Sequence, residues 1–308
     1  MLKTKYEVTT DWTGSLYCRL TLDWNYAGGC VDISMPGYVI QALKQFGHPN
    51  PKRPQLAPHK WIDPVYGSTQ QHQPTTESTT EPSDPKGITN VQSVNGTFIF
   101  YSQVDRCILV DLNEIGSEQS KSTIDTMEKA NWLMDYLHTY PNSVIRFHAS
   151  NIILKISSDA AYLMQPKACS RITVHYHLGW INDPDRANGP VNVLCQTLKN
   201  VVGPATEYET GGVYTGSRHV SSIITTLEEM GHKQPPTGTT FETDNKCAHG
   251  ILNSKILQKL SKSFDMRYWW MKDRIKQKIV KFNMSARKIQ HFRLFYKTPS
   301  TMAPPKYA

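Results

Sequence analysis

The stretch Ile152-Ile-Leu-Lys-Ile-Ser-Ser-Asp159-Ala-Ala-Tyr162 decides the fold prediction for this chain. Its first five residues are rich in β-branched side chains, which predicts a strand over residues 152–156 that carries Asp159 out of its end. Residues 240–243 have a similar character and precede Asp244. Each acid alone is typical of a solvated loop or cap residue. Two acids that each follow a strand indicate a polar site.

A third acid, Glu209, lies near the start of a predicted helix. The later apolar residues Val220, Ile223, Ile224 and Leu227 recur at the i, i+3, i+4 and i+7 spacing of one helix face. The order of the three acids along the chain is therefore strand end, helix start, strand end.

Carboxylates that converge from three elements suit Mg2+, because this ion prefers hard oxygen ligands. Two Mg2+ ions about 4 Å apart can activate a water and stabilise the leaving oxygen when a phosphodiester is hydrolysed. We therefore take Asp159, Glu209 and Asp244 as the candidate catalytic and metal-binding residues.

Nearly the whole chain resembles the C-terminal part of copia-type LTR retrotransposon Pol polyproteins. The resemblance rests on long sequence segments rather than on single residues. These segments are Tyr6-Glu-Val-Thr-Thr-Asp-Trp-Thr-Gly-Ser-Leu-Tyr17, Val31-Asp-Ile-Ser-Met-Pro-Gly-Tyr38, Ala57-Pro-His-Lys-Trp61, Arg146-Phe-His-Ala-Ser150, Thr226-Leu-Glu-Glu-Met-Gly-His232 and Asp265-Met-Arg-Tyr-Trp-Trp270.

The resemblance implies a reverse-transcriptase thumb and connection region over residues 1–143 and a ribonuclease H-like domain over residues 144–308. It also implies an RNA/DNA hybrid as the substrate. The family's acids fall on Asp159, Glu209 and Asp244, and Glu207 is its neighbouring acid. Glu209 is preferred because the family has a small residue three positions on, and Gly212 stands there.

Departures from the family pattern predict an impaired site. Where a fourth carboxylate is expected near the C-terminus, the chain has Arg293. The change amounts to two charge units, and each unit pair at about 4 Å opposes metal binding by roughly 4 kcal/mol at an effective dielectric near 20. Gly211 and Gly212 also weaken the helix after Glu209, by about 1 kcal/mol each relative to Ala. Glu229 and Glu242 remain open as substitutes for the missing acid.

Basic side chains crowd the last part of the chain, interleaved with Tyr268, Trp269 and Trp270. Such a mixture can neutralise phosphates and stack on bases. The equally weighted alternative is a helix whose aromatic side chains face the core, which the resemblance favours for Trp269 and Trp270. The candidate nucleic-acid-binding residues are Arg267, Lys272, Lys276, Lys281, Arg287 and Lys288.

Composition sets looser limits. The 308 residues carry a formal net charge of +8, which favours polyanionic partners. Six scattered cysteines and the absence of a secretory leader predict reduced thiols and a cytoplasmic or nuclear location. No run approaches the roughly 20 apolar residues of a membrane span, so no membrane partner is expected. His175 and His177 are read as one face of a strand rather than as zinc ligands.

The pattern along the chain predicts an α/β fold, namely a ribonuclease H-like mixed sheet flanked by helices and preceded by a smaller α+β region. A disordered linker is expected near residues 67–86, where Ser, Thr, Gln, Pro and Glu dominate. In the first region we predict strands at 16–22 and 31–34 and helices beginning near 36 and at 123–140. In the second we predict strands at 144–157, 171–178, 191–198 and 239–243, and helices after Glu209, at 246–251 and from 264 with Ser263 as its cap.

Three functional hypotheses follow. The chain is a Mg2+-dependent ribonuclease H, a catalytically silent nucleic-acid-binding module, or a retroelement relic without a selected function. A polymerase is not expected, because no Tyr-x-Asp-Asp sequence occurs.

Overall fold

The computed structural model describes residues 7, 10–60, 81–165, 169–183, 188–198, 205–243, 245–253 and 262–284. Two β-sheets organise these residues, and each is covered by its own set of helices. We refer to residues 16–148 as the N-terminal unit and to residues 153–284 as the C-terminal unit.

The sheet of the N-terminal unit has four antiparallel strands in the order β1-β2-β3-β4. They are β1 (Leu16–Tyr17), β2 (Leu20–Asn25), β3 (Cys30–Ser34) and β4 (Val144–His148). The last strand comes from far along the chain, so the β3–β4 pair joins residues more than 100 positions apart in the sequence.

The single strand predicted over residues 16–22 is wrong, because a two-residue turn divides it into β1 and β2. Cys18 and Arg19 form this turn with φ angles of 50° and 67°. Two successive positive φ angles suit a tight hairpin, since they match the twist of the flanking strands. Neither residue is a usual choice there, which explains why no local pattern predicts the turn.

Four helices belong to the N-terminal unit: α1 (Tyr38–Gln45), α2 (Pro85–Tyr101), α3 (Leu109–Glu118) and α4 (Ile124–Thr139). The predicted linker ends too late, because Asp84 already caps α2 by accepting a 2.7 Å hydrogen bond from the Gly87 amide. Residues 67–80 of that predicted linker lie outside the described residues. The helix predicted at 123–140 is confirmed as α4.

The four helices pack around one apolar core, against which Leu20 and Ile33 of the sheet also pack. Tyr101 lies within it and is held at its hydroxyl, which donates to the Pro141 carbonyl and accepts from the Ser143 amide. The remaining large core side chains include Phe98, Ile108, Leu112, Ile115, Leu133 and Leu137.

The sheet of the C-terminal unit has five strands in the order β7-β6-β5-β8-β9. They are β5 (Ile153–Gln165), β6 (Cys169–Gly179), β7 (Pro190–Leu198), β8 (Thr239–Thr243) and β9 (Val280–Met284). The first three are antiparallel, whereas β8 runs parallel to β5 and β9 parallel to β8.

Two strand predictions need correction here. The strand predicted over residues 144–157 is two strands, β4 and β5, which belong to different sheets. The chain therefore changes sheets between His148 and Ile153. The boundary that we predicted, between residues 143 and 144, precedes β4 instead. The strand β9 was missed because basic residues flank its short apolar core, and we assigned Lys281 to a basic tail.

The helices of this unit are α5 (Ala205–Ser217), α6 (Val220–Glu229), α7 (Lys246–Leu252) and α8 (Lys262–Lys276). Their apolar side chains and those of the sheet form a second core, which includes Ile156, Val174, Phe241 and Met271. Ser263 is not a cap, since α8 begins one residue earlier. A mixed sheet flanked by helices confirms the predicted fold class.

Two glycines allow α5 to approach the sheet closely. A Cβ atom added at Gly212 would lie 3.2 Å from Cγ2 of Ile172. A Cβ atom at Gly216 would lie 2.9 Å from both Cζ of Phe241 and Cγ1 of Val174. The helix continues through both positions, so packing on the sheet offsets the weak helix propensity of glycine.

The two units meet where α3 lies against β6 and β7. The guanidinium of Arg171, only 2% exposed, donates to the Val110 carbonyl over 3.2 Å. The Asn113 amide donates to the Cys195 carbonyl over 2.8 Å. These bonds join the N-terminal helices directly to the C-terminal sheet.

None of the helices within the described ranges combines the length and the apolar character needed to cross a membrane.

Replacing Gly216 by Ala should destabilise the protein by about 1–3 kcal/mol, because the new methyl group has no room beside Phe241 and Val174. Gly96→Ala in α2 is the matched control, since nothing lies within 4 Å of its added Cβ. That control should stabilise the protein by about 0.5–1 kcal/mol. Urea unfolding followed by circular dichroism measures both changes, and equal effects of the two variants would contradict the close approach of α5.

Candidate functional site

Asp159 lies within β5, the central strand of the five-stranded sheet, where it is the Cα partner of Thr173 on β6. We expected it at the end of a strand, and this is wrong because β5 continues to Gln165. The strand that ends beside this position is the parallel neighbour β8.

The register between β5 and β8 brings two of the predicted sites to one edge. Ser158 is the Cα partner of Thr243, the last residue of β8. Asp159 follows Ser158, and Asp244 follows Thr243 in the sequence. Asp244 itself lies outside the described residues. The residues that precede the two acids thus lie side by side, and carboxyl ends of parallel strands are common places for ligands.

Glu209 lies on α5, which packs directly on β5 and β6. Its side chain is partly buried, and its Oε2 atom is shielded from solvent. Gly212 and Gly216 are three and seven residues further on, which places Glu209 on the helix face that approaches the sheet. The helix therefore carries one carboxylate toward the sheet that contains Asp159.

Glu207 is two residues earlier on the same helix, about 200° around its axis from Glu209. Helix geometry therefore separates the two acids onto different faces. The preference for Glu209, which rests on the spacing to Gly212, stays a prediction.

Of the two acids considered as substitutes for the missing carboxylate, Glu229 is the exposed last residue of α6. Glu242 lies on β8, beside Ser157 on β5 and Asn283 on β9. Only Glu242 therefore shares the sheet of Asp159.

Carboxylate oxygens from β5, from α5 and from the residue after β8 would suit a hard divalent cation. A shielded oxygen such as Oε2 of Glu209 fits this use, because a buried carboxylate is stable when a cation balances its charge. Within the part of the chain that the structure describes, no three His, Cys, Asp or Glu side chains group as metal ligands. Asp244 and the side chain of Asp159 are not part of the described structure, so this statement does not cover them.

The two tryptophans of α8 differ in their surroundings, so one half of our expectation for them is wrong. Trp270 packs edge to face on Tyr214, with ring centroids 5.2 Å apart. Trp269 is 65% exposed and contacts only the neighbouring Tyr268 ring among the described aromatic pairs, at 5.3 Å. The predicted core position therefore holds for Trp270 alone.

The predicted nucleic-acid-binding residues also differ in their contacts and exposure. Lys272 donates to the Leu252 carbonyl at the end of α7 over 2.9 Å, and burial lowers the pKa of its ammonium group. Arg267 lies over the Tyr214 ring at 5.6 Å. Lys276 is exposed at the end of α8. These contacts give the first two side chains structural roles, while Lys276 is open to a ligand.

Lys281 lies on β9, where its ammonium group is 3.5 Å from the Thr237 hydroxyl. It is part of the sheet rather than of a basic tail. Arg287 and Lys288 lie outside the described residues, as does Arg293, whose place in the site stays a prediction.

His175 and His177 form a buried pair on β6, with rings stacked 5.9 Å apart. The prediction that they share a strand face is confirmed. Nδ1 of His177 donates to the Asn188 carbonyl over 3.1 Å. Burial lowers the pKa of His177 to about 4 and holds the pKa of His175 well below its ordinary value.

No family model matches this chain, and no curated protein is significantly similar to it. Solved structures with a partial likeness are ribonucleases H. The N-terminal RNase H domain of a Mycobacterium tuberculosis protein, solved as a fusion with maltose-binding protein, is 11% identical with a TM-score of 0.34, over 46% of this chain and 90% of that chain.

RNase H1 from the halophilic archaeon Halobacterium salinarum is 9% identical with a TM-score of 0.31, over 45% of this chain and 89% of that chain. LC11-RNase H1 in complex with an RNA/DNA hybrid is 12% identical with a TM-score of 0.31, over 44% of this chain and 86% of that chain. The ribonuclease H-like fold follows from the strand order and directions of the C-terminal sheet itself.

The buried histidines predict a loss of stability in mild acid. Because the folded-state pKa of His177 lies below its unfolded value of 6.5, the unfolded chain binds more protons as the pH falls from 6.5 to about 4. The free energy of unfolding should fall over this range, by about 1.4 kcal/mol for each unit of the shift.

Urea unfolding at pH 7, 6, 5 and 4 measures this fall, and His177→Gln should reduce it. His219→Gln, which alters an exposed turn, is the matched control. An equal slope in wild type and His177→Gln would contradict the assignment.

Proposed function

We propose that the chain is a ribonuclease H-like hydrolase that acts on the RNA strand of RNA/DNA hybrids with Mg2+. The register of β5 and β8 carries this proposal, since it aligns Ser158 with Thr243 and so places the positions that precede Asp159 and Asp244 side by side. Glu209 supports it from the helix that packs on β5.

In this proposal Asp159, Glu209 and Asp244 hold the metal, which when bound polarises the phosphodiester and activates water. Glu209 is fixed by the rigid packing of α5, because Gly212 and Gly216 let that helix lie against the sheet. The close packing fixes the position of the helix that carries this carboxylate, which a metal site on rigid elements requires.

We further propose that the site is impaired by Arg293. A guanidinium in place of a carboxylate would repel the cation that the other acids attract. Reduced metal affinity, rather than loss of the fold, is the expected result.

The resemblance to copia-type Pol polyproteins supports a retrotransposon origin. In this reading the N-terminal unit is the remnant of a thumb and connection that positions a hybrid, and the protein acts in the cytoplasm or nucleus. The bonds from Arg171 and Asn113 across the two units support a shared role in placing one ligand.

The test is cleavage of a labelled RNA strand in an RNA/DNA hybrid, with Mg2+ and with Mn2+. Asp159→Asn should lower the cleavage rate by about a hundredfold or more, because it removes a charged metal ligand. Arg293→Asp should raise cleavage at low Mg2+ concentration. Glu229→Gln is the matched control, since this exposed acid ends α6 away from the sheet.

Cleavage that Asp159→Asn leaves unchanged would refute the site. If only Arg293→Asp cleaves, the fold is competent and the arginine is the lesion. If no variant cleaves, a hydrolase is excluded under these conditions.

One observation favours a second candidate, a silent nucleic-acid-binding module. Trp269 is largely exposed on α8, and the exposed Lys276 ends the same helix. Exposed aromatic rings among cations can stack on bases while phosphates are neutralised. Absence of both binding and a cooperative unfolding transition would instead favour a relic.

Fluorescence anisotropy with a labelled hybrid and with single-stranded DNA tests binding without Mg2+. Trp269→Ala should weaken it by about 1–3 kcal/mol, and Lys276→Gln should reduce its dependence on salt. Trp12→Ala is the control, because Trp12 is also exposed and precedes the N-terminal unit in the sequence. Equal losses in both tryptophan variants would contradict a binding site on α8.

A further inference from the structure

Residues 48–60, which follow α1, run along α4 as a strap. At one end, Nε2 of His48 lies 2.7 Å from Oδ1 of Asp135. Further along, the indole Nε1 of Trp132 donates to the Ala57 carbonyl over 3.0 Å. Side chains on one face of α4 thus hold the strap in place.

The far end of the strap reaches α3. Nδ1 of His59 lies 3.5 Å from Oδ1 of Asp111, and the two side chains are 32% and 9% exposed. Asp111 follows Val110, the residue whose carbonyl accepts from Arg171 of β6. The His59 end of the strap therefore lies beside the junction of the two units.

We propose that residues 48–60 form a pH-sensitive strap, which protonated His59 closes onto Asp111 at the junction and which loosens when His59 loses its proton. The proposal concerns the Ala57-Pro-His-Lys60 part of the chain, which the nuclease site does not use. It stands whether or not the chain cleaves a hybrid.

The charges around His59 support this assignment. Asp111, which pairs with His59 at 3.5 Å, is the largest cause that raises its pKa, and Glu114 of α3 also raises it, whereas burial and Arg171 lower it. The net direction is upward from 6.5. Lys129 of α4 already pairs with Glu114 at 2.7 Å, so Asp111 is the acid that pairs with His59.

Two thiols and a tyrosine hydroxyl also face Asp111. Burial raises the pKa of the Cys107 and Cys195 thiols and of the Tyr136 hydroxyl, so all three stay neutral. Burial likewise raises the pKa of Asp111 itself. Of the groups around Asp111, we take His59 as the one whose proton controls the strap contact.

The pKa shifts determine whether low or high pH favours the closed strap. Because the pKa of His59 is higher with the strap closed, closure is favoured below 6.5 and the advantage is lost as the pH rises through the raised value. Burial raises the pKa of Asp111, whereas His59 lowers it, so the closed strap favours the ionised carboxylate that pairs with protonated His59. Each unit of the His59 shift corresponds to about a tenfold change in the ratio of closed to open strap.

The test is an NMR titration of the full chain between pH 5.5 and 9, in which the His59 ring reports the proton and the Trp132 indole N–H reports the strap. In wild type we expect His59 to titrate above 6.5 and the Trp132 resonance to move with the same midpoint. In Asp111→Asn, the His59 midpoint should fall toward 6.5.

His59→Gln is a second test of the strap if Asp111→Asn folds poorly, because His59 is partly exposed and its replacement should disturb the fold less. It should abolish the movement of the Trp132 resonance. His138→Gln is the matched control, because this histidine of α4 faces Asn50 at 3.0 Å rather than an acid, and it should leave the movement intact. A His59 midpoint that Asp111→Asn does not change, or a Trp132 resonance that still moves in His59→Gln, would overturn the proposal.

Discussion

The double pairing of β5 is the constraint on which the C-terminal unit depends. This strand bonds to antiparallel β6 on one side and to parallel β8 on the other, so its register fixes both neighbours at once. A slip of one residue would turn Leu154 and Ile156 out of the core. Because β8 ends opposite Ser158, the same register that buries these side chains also sets the position of Asp159 relative to the end of β8.

Close packing of α5 is the second constraint, and it reconciles a poor helix sequence with a stable helix. Gly212 and Gly216 each weaken the helix by about 1 kcal/mol relative to Ala. Their missing side chains let the backbone approach Ile172, Val174 and Phe241, where apolar burial and van der Waals contact compensate. The resulting rigidity is what a carboxylate on this helix needs if it is to bind a metal.

Polar contacts help to join the two units. Arg171 is almost fully buried, which is favourable only because carbonyl and acidic groups of α3 face it. Such a junction is specific in geometry and sensitive to charge. The stacked His175 and His177 lie on the same strand as Arg171. Burial lowers the pKa of these two histidines, whereas the pKa of His59 is raised, so the two kinds of histidine respond to pH in opposite directions.

The sequence by itself determined the elements whose signals are local. The β-branched run at 153–156, the helix α4 with its Thr123 capping box and the strand with alternating histidines all follow from neighbouring side chains. Tertiary structure alone decided which sheet each strand joins: β4 and β5 are close in sequence but belong to different sheets, and β9 is a strand because β8 offers it a partner. It also decided the separate surroundings of Trp269 and Trp270 and the meeting of His59 with Asp111. These outcomes depend on contacts between residues far apart in the sequence. A local sequence pattern does not indicate the energies of such contacts.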